Sequence, residues 1–175
     1  MEKHIHLPLS LEQAASLTAG DIVLLSGTLY TARDAAHKKF HELLLAGKEL
    51  PFPTQGAVIY YCGPTPARPG KVIGSAGPTT SGRMDAYTPE LLEQTGVLGM
   101  VGKGKRNQAV IEAIKSKGAV YFHAVGGAGA LISQSIVAAE VIAFPELGPE
   151  AVFCLEVKNF PVIVAIDSQG NNICR

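Results

Sequence analysis

Short apolar runs typical of buried strands alternate along this chain with segments whose apolar residues recur every three or four positions. The strand-like runs lie at 4–9, 21–28, 57–62, 97–102, 119–125, 151–157 and 161–167. Helices are predicted at 11–20, 31–46, 88–96, 108–117 and 130–140. This alternation is typical of an α/β protein, and because strands follow strands after residue 140, the sheet is predicted to be mixed. We find no repeats or linkers and expect a single domain over residues 1–175.

Short polar side chains mark the predicted helix starts, because their oxygens can accept the free amides of a first turn. The predicted N-caps are Ser10 with Gln13 as a capping box, Thr31, Thr88 followed by Pro89, and Asn107. Gly47 and Gly118 are predicted to end two of these helices. A long loop rich in Gly and Pro, residues 63–87, separates the third strand from the third helix.

Composition and charge exclude several classes of protein. With 47% hydrophobic residues among 175, the chain can bury one good core. Lys plus Arg and Asp plus Glu both number 15, so the excess of positive charge expected of a general nucleic-acid binder is missing. No apolar run approaches the roughly 20 residues that span a bilayer, and the first ten residues do not resemble a secretion signal. We therefore expect a soluble cytoplasmic protein.

The three cysteines argue against a disulfide framework. Cys62, Cys154 and Cys174 are an odd number without a C-x-x-C pair, so a zinc site built from this chain alone is also disfavoured. Three thiolates could hold an iron–sulfur cluster, but Cys62 and Cys154 lie in strand-like apolar runs. The favoured interpretation is that both are small buried hydrophobic residues, and that all three thiols are reduced.

Two glycine-rich segments resemble nucleotide-binding motifs only in part. "GGAGAL" at 126–131 follows a strand, but Ile132 stands where the third glycine of a dinucleotide fingerprint is needed. "VGKGKR" at 101–106 lacks the first glycine of a phosphate-binding loop, and Gly104 replaces its Ser or Thr. A tight strand-to-helix turn is favoured for the first segment, and the phosphate-loop interpretation is rejected for the second.

A pair of histidines offers a third candidate site. His37 and His41 are four residues apart on a predicted helix, a spacing that can chelate a metal. The glutamate of the H-E-x-x-H motif is absent from "HKKFHE". A solvated helix face is therefore the favoured interpretation.

Three cations stand in loops and at a helix start. Arg33 lies in a predicted first turn, where the helix dipole disfavours a positive side chain unless an anion joins it. Arg83 lies in the hydroxyl-rich "GPTTSGRMD", and Lys103 stands between two glycines. If they converge, they form a receptor for a small molecule with two carboxylates. Each alone is equally compatible with an ordinary surface cation.

Longer stretches resemble one known family over nearly the whole chain. They are "GTLYTARDAAHK" at 27–38, "YYCGPTP" at 60–66, "GPTTSGRMDAYTPELL" at 77–92, "MVGKGK" at 100–105 and "ELGPEAVFCLEVKNFPVIVAID" at 146–167. The chain resembles the β subunit, or C-terminal domain, of the iron–sulfur hydro-lyases of the class I fumarase and L-tartrate dehydratase family.

The resemblance implies a fold and a partner. The expected fold is a swivelling three-layer β/β/α domain with a mixed sheet. It closes over a cluster-bearing α subunit in a hetero-oligomer of α₂β₂ composition. The [4Fe-4S] cluster is expected on that partner and not on this chain. The implied reaction adds or removes water across a dicarboxylate double bond, as in fumarate to malate or L-tartrate to oxaloacetate.

The resemblance also assigns roles to residues of the loops. Arg33, Arg83 and Lys103 are implied to bind substrate carboxylates, and Thr79 is the candidate base at the carbon that loses its proton. Thr80, with Ser81 and Asp85, is implied to orient the loop and the substrate. A threonine is a poor base unless nearby guanidinium groups and amides favour its charged form. Turn hydrogen bonds are the alternative role for both threonines.

Two functions from other classes stay open at this point. The chain could be a non-catalytic scaffold for the cluster-bearing chain, or it could bind a dicarboxylate unaided. The intact set of Arg33, Thr79, Arg83 and Lys103 favours retained catalysis. The sequence does not distinguish fumarate, L-tartrate and methylated relatives, because the shape of the pocket depends on the partner.

Overall fold

The described residues, 2–125 and 129–174 of the computed structural model, form seven strands and five α-helices. The strands are β1 (Glu2–His6), β2 (Ile22–Thr31), β3 (Val58–Tyr60), β4 (Gly99–Gly102), β5 (Val120–Ala124), β6 (Ile136–Ala143) and β7 (Val152–Ile166). The helices are α1 (Leu11–Ala15), α2 (Asp34–Leu45), α3 (Thr88–Gln94), α4 (Gln108–Lys117) and α5 (Gly129–Ser135). No helix among the described residues is long and apolar enough to cross a membrane.

The strands form one mixed sheet in the order β1-β2-β3-β4-β5-β7-β6. Strands β1 to β5 are parallel, whereas β7 is antiparallel to its neighbours. Strand β7 pairs with β5 and also with β2, so the sheet is partly closed as a small barrel. The predicted α/β class and mixed sheet are confirmed, whereas the closure was not predicted.

The two faces of the sheet bury separate apolar cores. Strand residues alternate between them: Val58, Tyr60 and Cys62 lie in the first core, and Ile59 and Tyr61 lie in the second. The first core takes side chains from all five strands that close the barrel, which are β2, β3, β4, β5 and β7. The second core is shared with helices α2, α3 and α4. Tyr60 and Tyr61 are both fully buried, so the end of β3 is held firmly from both sides.

Two of the four predicted caps are confirmed. Ser10 and Gln13 form the capping box of α1, and Asn107 Oδ1 accepts the Val110 amide at the start of α4. Thr31 and Thr88 are not caps. Thr31 is the last residue of β2, and its hydroxyl accepts a hydrogen bond from the Phe153 amide.

Thr88 is already the first residue of α3, and its hydroxyl donates to the Met84 carbonyl at 2.8 Å. The N-cap position is occupied by Tyr87, which makes no side-chain capping bond. The predicted cap was one residue late, because the Thr88 hydroxyl donates to the carbonyl four residues earlier and does not accept an amide of the first turn.

The predicted helix at 130–140 is half wrong. Helix α5 ends at Ser135, and β6 begins at Ile136 because this segment finds a pairing partner in β7. The strands predicted at 151–157 and 161–167 are one continuous strand, β7, that passes through Asn159 at φ 54°. The glycine turn considered as a dinucleotide fingerprint includes residues 126–128, which lie outside the described residues.

Candidate functional site

The carboxyl ends of four parallel strands meet at one edge of the sheet. Thr31 in β2 is in register with Tyr60 in β3, Tyr60 with Val101 in β4, and Gly102 with His123 in β5. The segments that follow these ends carry the candidate residues. In parallel α/β sheets, open or closed into barrels, ligands commonly bind at this edge, because loops and helix N-termini converge there.

The loop at 63–87 returns to this edge and places both threonines on it. The Thr79 amide donates to the Tyr61 carbonyl at 2.7 Å, directly after β3. Thr80 forms a bridge with Lys103, and the Ser81 amide donates to the Lys103 carbonyl at 2.9 Å. Thr79 is only 9% exposed, whereas Thr80 is exposed. The fold therefore brings Thr79, Thr80 and Lys103 together.

Arg33 occupies the N-cap position of α2, and its side chain does not cap the helix. Its guanidinium lies against Gly63, where a Cβ would come within 2.9 Å of Cζ. Glu150 supplies the anion expected at this helix start. It lies 3.6 Å from Arg33 Nη2, and its other oxygen accepts the Ala35 amide at 3.2 Å. Arg33 Nε is buried and has no partner among the described residues.

Arg83 is attached to the same helix start. Its Nε donates to Asp34 Oδ2 at 3.0 Å, and its Nη2 donates to the same oxygen. Because Asp34 follows Arg33 directly, this ion pair brings the two guanidinium groups to one end of α2. The pair is largely open to solvent, with 52% of the Arg83 side chain and 39% of the Asp34 side chain exposed.

Lys103 is held by its backbone while its side chain is exposed. Gly102 is required beside it, because a Cβ there would collide with the Ser81 hydroxyl and approach the Tyr61 ring to 2.8 Å. Gly104 follows at φ +86°, in the left-handed region. Within the described part of the chain, no carboxylate forms a salt bridge with Lys103. Its ammonium is the cation of the set most available to a ligand.

Sequence reasoning missed Arg106, the most buried cation of the region. Its side chain is 0% exposed, and its Nε donates to Asp85 Oδ1 at 2.7 Å. Burial alone would lower the pKa of Arg106, but Tyr61, Asp85 and Tyr121 outweigh burial and raise it. The sequence did carry a signal for Arg106, because this residue directly precedes the N-cap Asn107 of α4. The helix dipole disfavours a cation there, as it does at Arg33.

Asp85 makes two contacts that hold the loop at 63–87 in place. Besides the Arg106 bond, its second oxygen accepts the Asn107 amide at 2.8 Å. Ser81 is buried, and its hydroxyl lies 2.7 Å from the Tyr121 hydroxyl. These contacts connect the loop at 63–87 to the start of α4 and to β5.

The two histidines of α2 are not a chelating pair. His37 is fully buried, so the prediction of a solvated face is wrong for it, and its Nδ1 donates to the Arg33 carbonyl at 2.8 Å. Burial lowers the pKa of His37 to about 4. His41, one turn further, is instead 2.6 Å from Glu90. No group of three His, Cys, Asp or Glu able to hold a metal occurs among the described residues.

The three thiols lie in separate places. Cys62 is buried in the first core, and burial raises its pKa to about 12. Cys154 is in β7, where it is only partly buried, and Cys174 packs against the second core, 3.2 Å from His123 Nε2. The prediction of a buried hydrophobic role is confirmed for Cys62 and only in part for Cys154. The three thiols therefore do not form one group among the described residues.

The mixed, partly closed sheet defines the chain as an α/β domain whose loops place cations and hydroxyls at the ends of parallel strands. It belongs to the family of the fumarase C-terminus, whose model matches residues 1–175. This confirms the family that the sequence resemblance indicated.

Named relatives agree with this assignment. The chain is 42% identical over 170 residues to a protein of Methanocaldococcus jannaschii provisionally named L(+)-tartrate dehydratase subunit beta, covering 94% of this chain and 87% of that protein. It is 44% identical over 149 residues to the anaerobic class I fumarate hydratase of Escherichia coli K12, covering 85% of this chain and 27% of that protein. Fumarate hydratase 2 of Leishmania major is 39% identical over 163 residues, with 93% and 29% covered. The chain thus spans under a third of these fumarate hydratases.

Two aspartates that pair with arginines differ in burial and supply a matched stability test. Asp34→Asn should lower the free energy of unfolding by less than about 1 kcal/mol, because its pair with Arg83 is solvated. Asp85→Asn should cost about 3 kcal/mol, because it leaves the buried Arg106 unpaired. Urea unfolding midpoints measure both. Equal losses would show that burial does not separate the two pairs.

His37 should make stability depend on pH. Its folded pKa, about 4, lies below the ordinary value of 6.5, so the neutral form is favoured in the folded chain. The resulting stability is complete above pH 6.5 and falls by about 3 kcal/mol as the pH drops to about 4. His37→Gln should flatten that part of the curve, and His41→Gln should keep it. An unchanged slope in His37→Gln would contradict the assignment.

Proposed function

We propose that this chain is the β subunit of a [4Fe-4S]-dependent hydro-lyase that reversibly hydrates or dehydrates a small dicarboxylate. Fumarate and malate or L-tartrate and oxaloacetate are the candidate pairs. The main support is the match over 87% of a protein named as a tartrate dehydratase beta subunit. The two fumarate hydratases, of which this chain matches 27% and 29%, support the same reaction class.

The partner in this proposal is a cluster-bearing α subunit, in an assembly of two α and two β subunits. Because the three thiols do not lie together among the described residues, we propose that the partner carries the [4Fe-4S] group. When bound there, it supplies a Lewis acid for the leaving hydroxyl. A swivelling three-layer domain would close the edge that carries Thr79 and Lys103 over the partner. Three free thiols suit a reducing compartment, so we include a cytoplasmic location.

The cations of this chain would bind the two substrate carboxylates. Lys103 offers an exposed ammonium beside Thr80. The Arg33 side chain is 28% exposed, and its guanidinium contacts Glu150 only through Nη2 at 3.6 Å, so part of it can face a ligand. Arg83 would keep Asp34 as its counter-ion and use the nitrogen that faces away from it. Bonds of this kind between charged groups are short, strong and directional.

Thr79 is proposed as the base that takes the proton from the substrate carbon. Its low exposure and fixed amide give its hydroxyl a defined place on the site edge. Nearby guanidinium and ammonium groups favour an oxyanion over a neutral hydroxyl, and exclusion of water on closure strengthens the effect. Thr80, exposed and bridged to Lys103, would position the substrate.

The alternative is a non-catalytic subunit that binds a dicarboxylate or supports the cluster-bearing chain. Its observational basis is that Arg33 and Arg83 already have carboxylate partners, Glu150 and Asp34. Titration of the isolated chain with fumarate and tartrate, followed by activity of the complex, separates the two functions.

Reconstitution tests the proposed function directly. The isolated chain should be colourless and inactive, and it should give hydro-lyase activity when combined anaerobically with a cluster-bearing α subunit. Fumarate, malate and L-tartrate consumption are measured for each chain and for the mixture. Turnover of malate by the isolated chain, or an iron–sulfur absorption band in it, would contradict the division of roles.

Lys103 should be needed for catalysis and not for folding. Lys103→Met is expected to raise the activation free energy derived from kcat/KM of the complex by about 2 to 5 kcal/mol, because a desolvated charge-assisted contact is lost. Arg33→Met should fall in the same range, and Arg83→Lys should lose part of the rate because the planar fork is missing. Lys105→Met, two residues on and also exposed, is the matched control. Similar kinetics for Lys103→Met and Lys105→Met would remove Lys103 from the site.

The two threonines should separate in a solvent-exchange assay. Thr79→Ala should lower kcat and kcat/KM together, because a base acts in the transition state, and Thr79→Ser should keep part of the rate. Thr80→Ala should raise the activation free energy by only roughly 1 kcal/mol, because the substrate is held less well in position. The measurement is exchange of the substrate C3 hydrogen with deuterium in the complex. Undiminished exchange in Thr79→Ala would assign the base to another residue.

A further inference from the structure

Arg106 is at the centre of a buried polar cluster behind the candidate site. Its Nη2 donates to Thr88 Oγ1 at 2.9 Å and to the Tyr61 hydroxyl at 3.1 Å, and its Nε binds Asp85. The guanidinium carbon lies 5.2 Å from the ring centroid of Tyr61 and 4.8 Å from that of Tyr121. A guanidinium is suited to this place because it can donate in its plane and stack on aromatic faces.

The two tyrosines connect this cation to the backbone of the site. The Thr79 amide donates to the Tyr61 carbonyl. The Tyr121 hydroxyl lies 2.7 Å from Ser81 Oγ and 2.8 Å from the Gly104 carbonyl. Ser81 follows Thr79 by two residues, and Gly104 follows Lys103 directly. Arg106 thus contacts both Tyr61 and Tyr121. These tyrosines bind the backbone or side chains of the residues beside Thr79 and Lys103.

Stability gives a weak reason for an arginine here. A buried ion pair seldom stabilises more than apolar side chains of similar volume, because removing the charges from water is costly. In addition, Arg106 Nη1 is buried and makes no hydrogen bond to the described residues. A cation that binds Asp85, Thr88 and Tyr61 at once is better explained by the orientation that it gives to these neighbours.

We propose that Arg106 is a positioning residue that fixes Thr79 relative to Lys103 through Asp85, Tyr61 and Tyr121. The inference rests on the proposed function for its catalytic consequence, whereas its structural part can be tested without activity. Arg106 itself does not touch the substrate in this proposal. It acts by holding the loop at 63–87 against β4 and β5.

Amide hydrogen exchange of the isolated chain tests the structural part. Arg106→Lys keeps the charge but loses the planar fork, and Arg106→Met is close in volume without charge. In both variants the Thr79 and Ser81 amides should exchange at least about tenfold faster, because local opening becomes easier. The Leu7 amide, which donates to Ser26 at 2.8 Å, should exchange at the wild-type rate.

Two results would overturn this part. One is unchanged exchange at Thr79 and Ser81 in both variants. The other is equal acceleration at Leu7, which would give Arg106 a global role in stability only. Arg68→Lys is the matched control, because Arg68 is an exposed arginine in the same loop.

Kinetics of the reconstituted complex test the catalytic consequence. Arg106→Lys should lower kcat about 10- to 100-fold with KM changed less than about threefold, because the base is misplaced while the cations remain. Wild-type kcat in Arg106→Lys, or a loss expressed only in KM, would overturn the positioning role. If the wild-type complex has no hydro-lyase activity, the proposed function fails, and amide exchange still decides whether Arg106 orders Thr79.

Discussion

The pairing of β7 with both β2 and β5 is the constraint on which the candidate site depends. It closes the sheet into a small barrel and holds β2 to β5 parallel, with their carboxyl ends at one edge. Arg33, Thr79 and Lys103 are far apart in sequence, yet each directly follows or contacts one of these strand ends. The loop at 63–87 contacts the ends of β3 and β4, which lie between the two strands that β7 joins.

Charge in this neutral chain is arranged in local pairs. At the site, Arg33, Arg83 and Arg106 each have a carboxylate partner, Glu150, Asp34 and Asp85 respectively. The pairs differ in burial, and therefore in what they do. The Asp85 pair is desolvated and orders the backbone, whereas the Asp34 pair is solvated and leaves Arg83 able to meet a ligand. Lys103 has no such partner among the described residues, so a substrate carboxylate has least to displace there.

Local signals in the sequence were reliable where only the backbone of one segment was involved. The capping box at Ser10 and the cap at Asn107 were predicted correctly for this reason. The buried strands were also predicted from the pattern of single segments. Two predictions were wrong because a distant segment competed. Thr31 extends β2 instead of capping α2, and the segment after Ser135 joins β7 as a strand. His37 was assigned to the surface because its helix is charged, but α2 turns that side chain towards Phe40 and Tyr61.

The sequence by itself determined the α/β class, the mixed sheet and the family, because periodicity, caps and long specific motifs are local properties of the chain. The family resemblance then indicated Arg33, Thr79, Thr80, Arg83 and Lys103 as site residues. Only the tertiary structure decided that the sheet closes, that Glu150 and Asp34 meet the arginines, and that Arg106 is buried between Tyr61 and Tyr121. These features depend on contacts between residues far apart in sequence, and the pattern of a single segment carries no information about its partner.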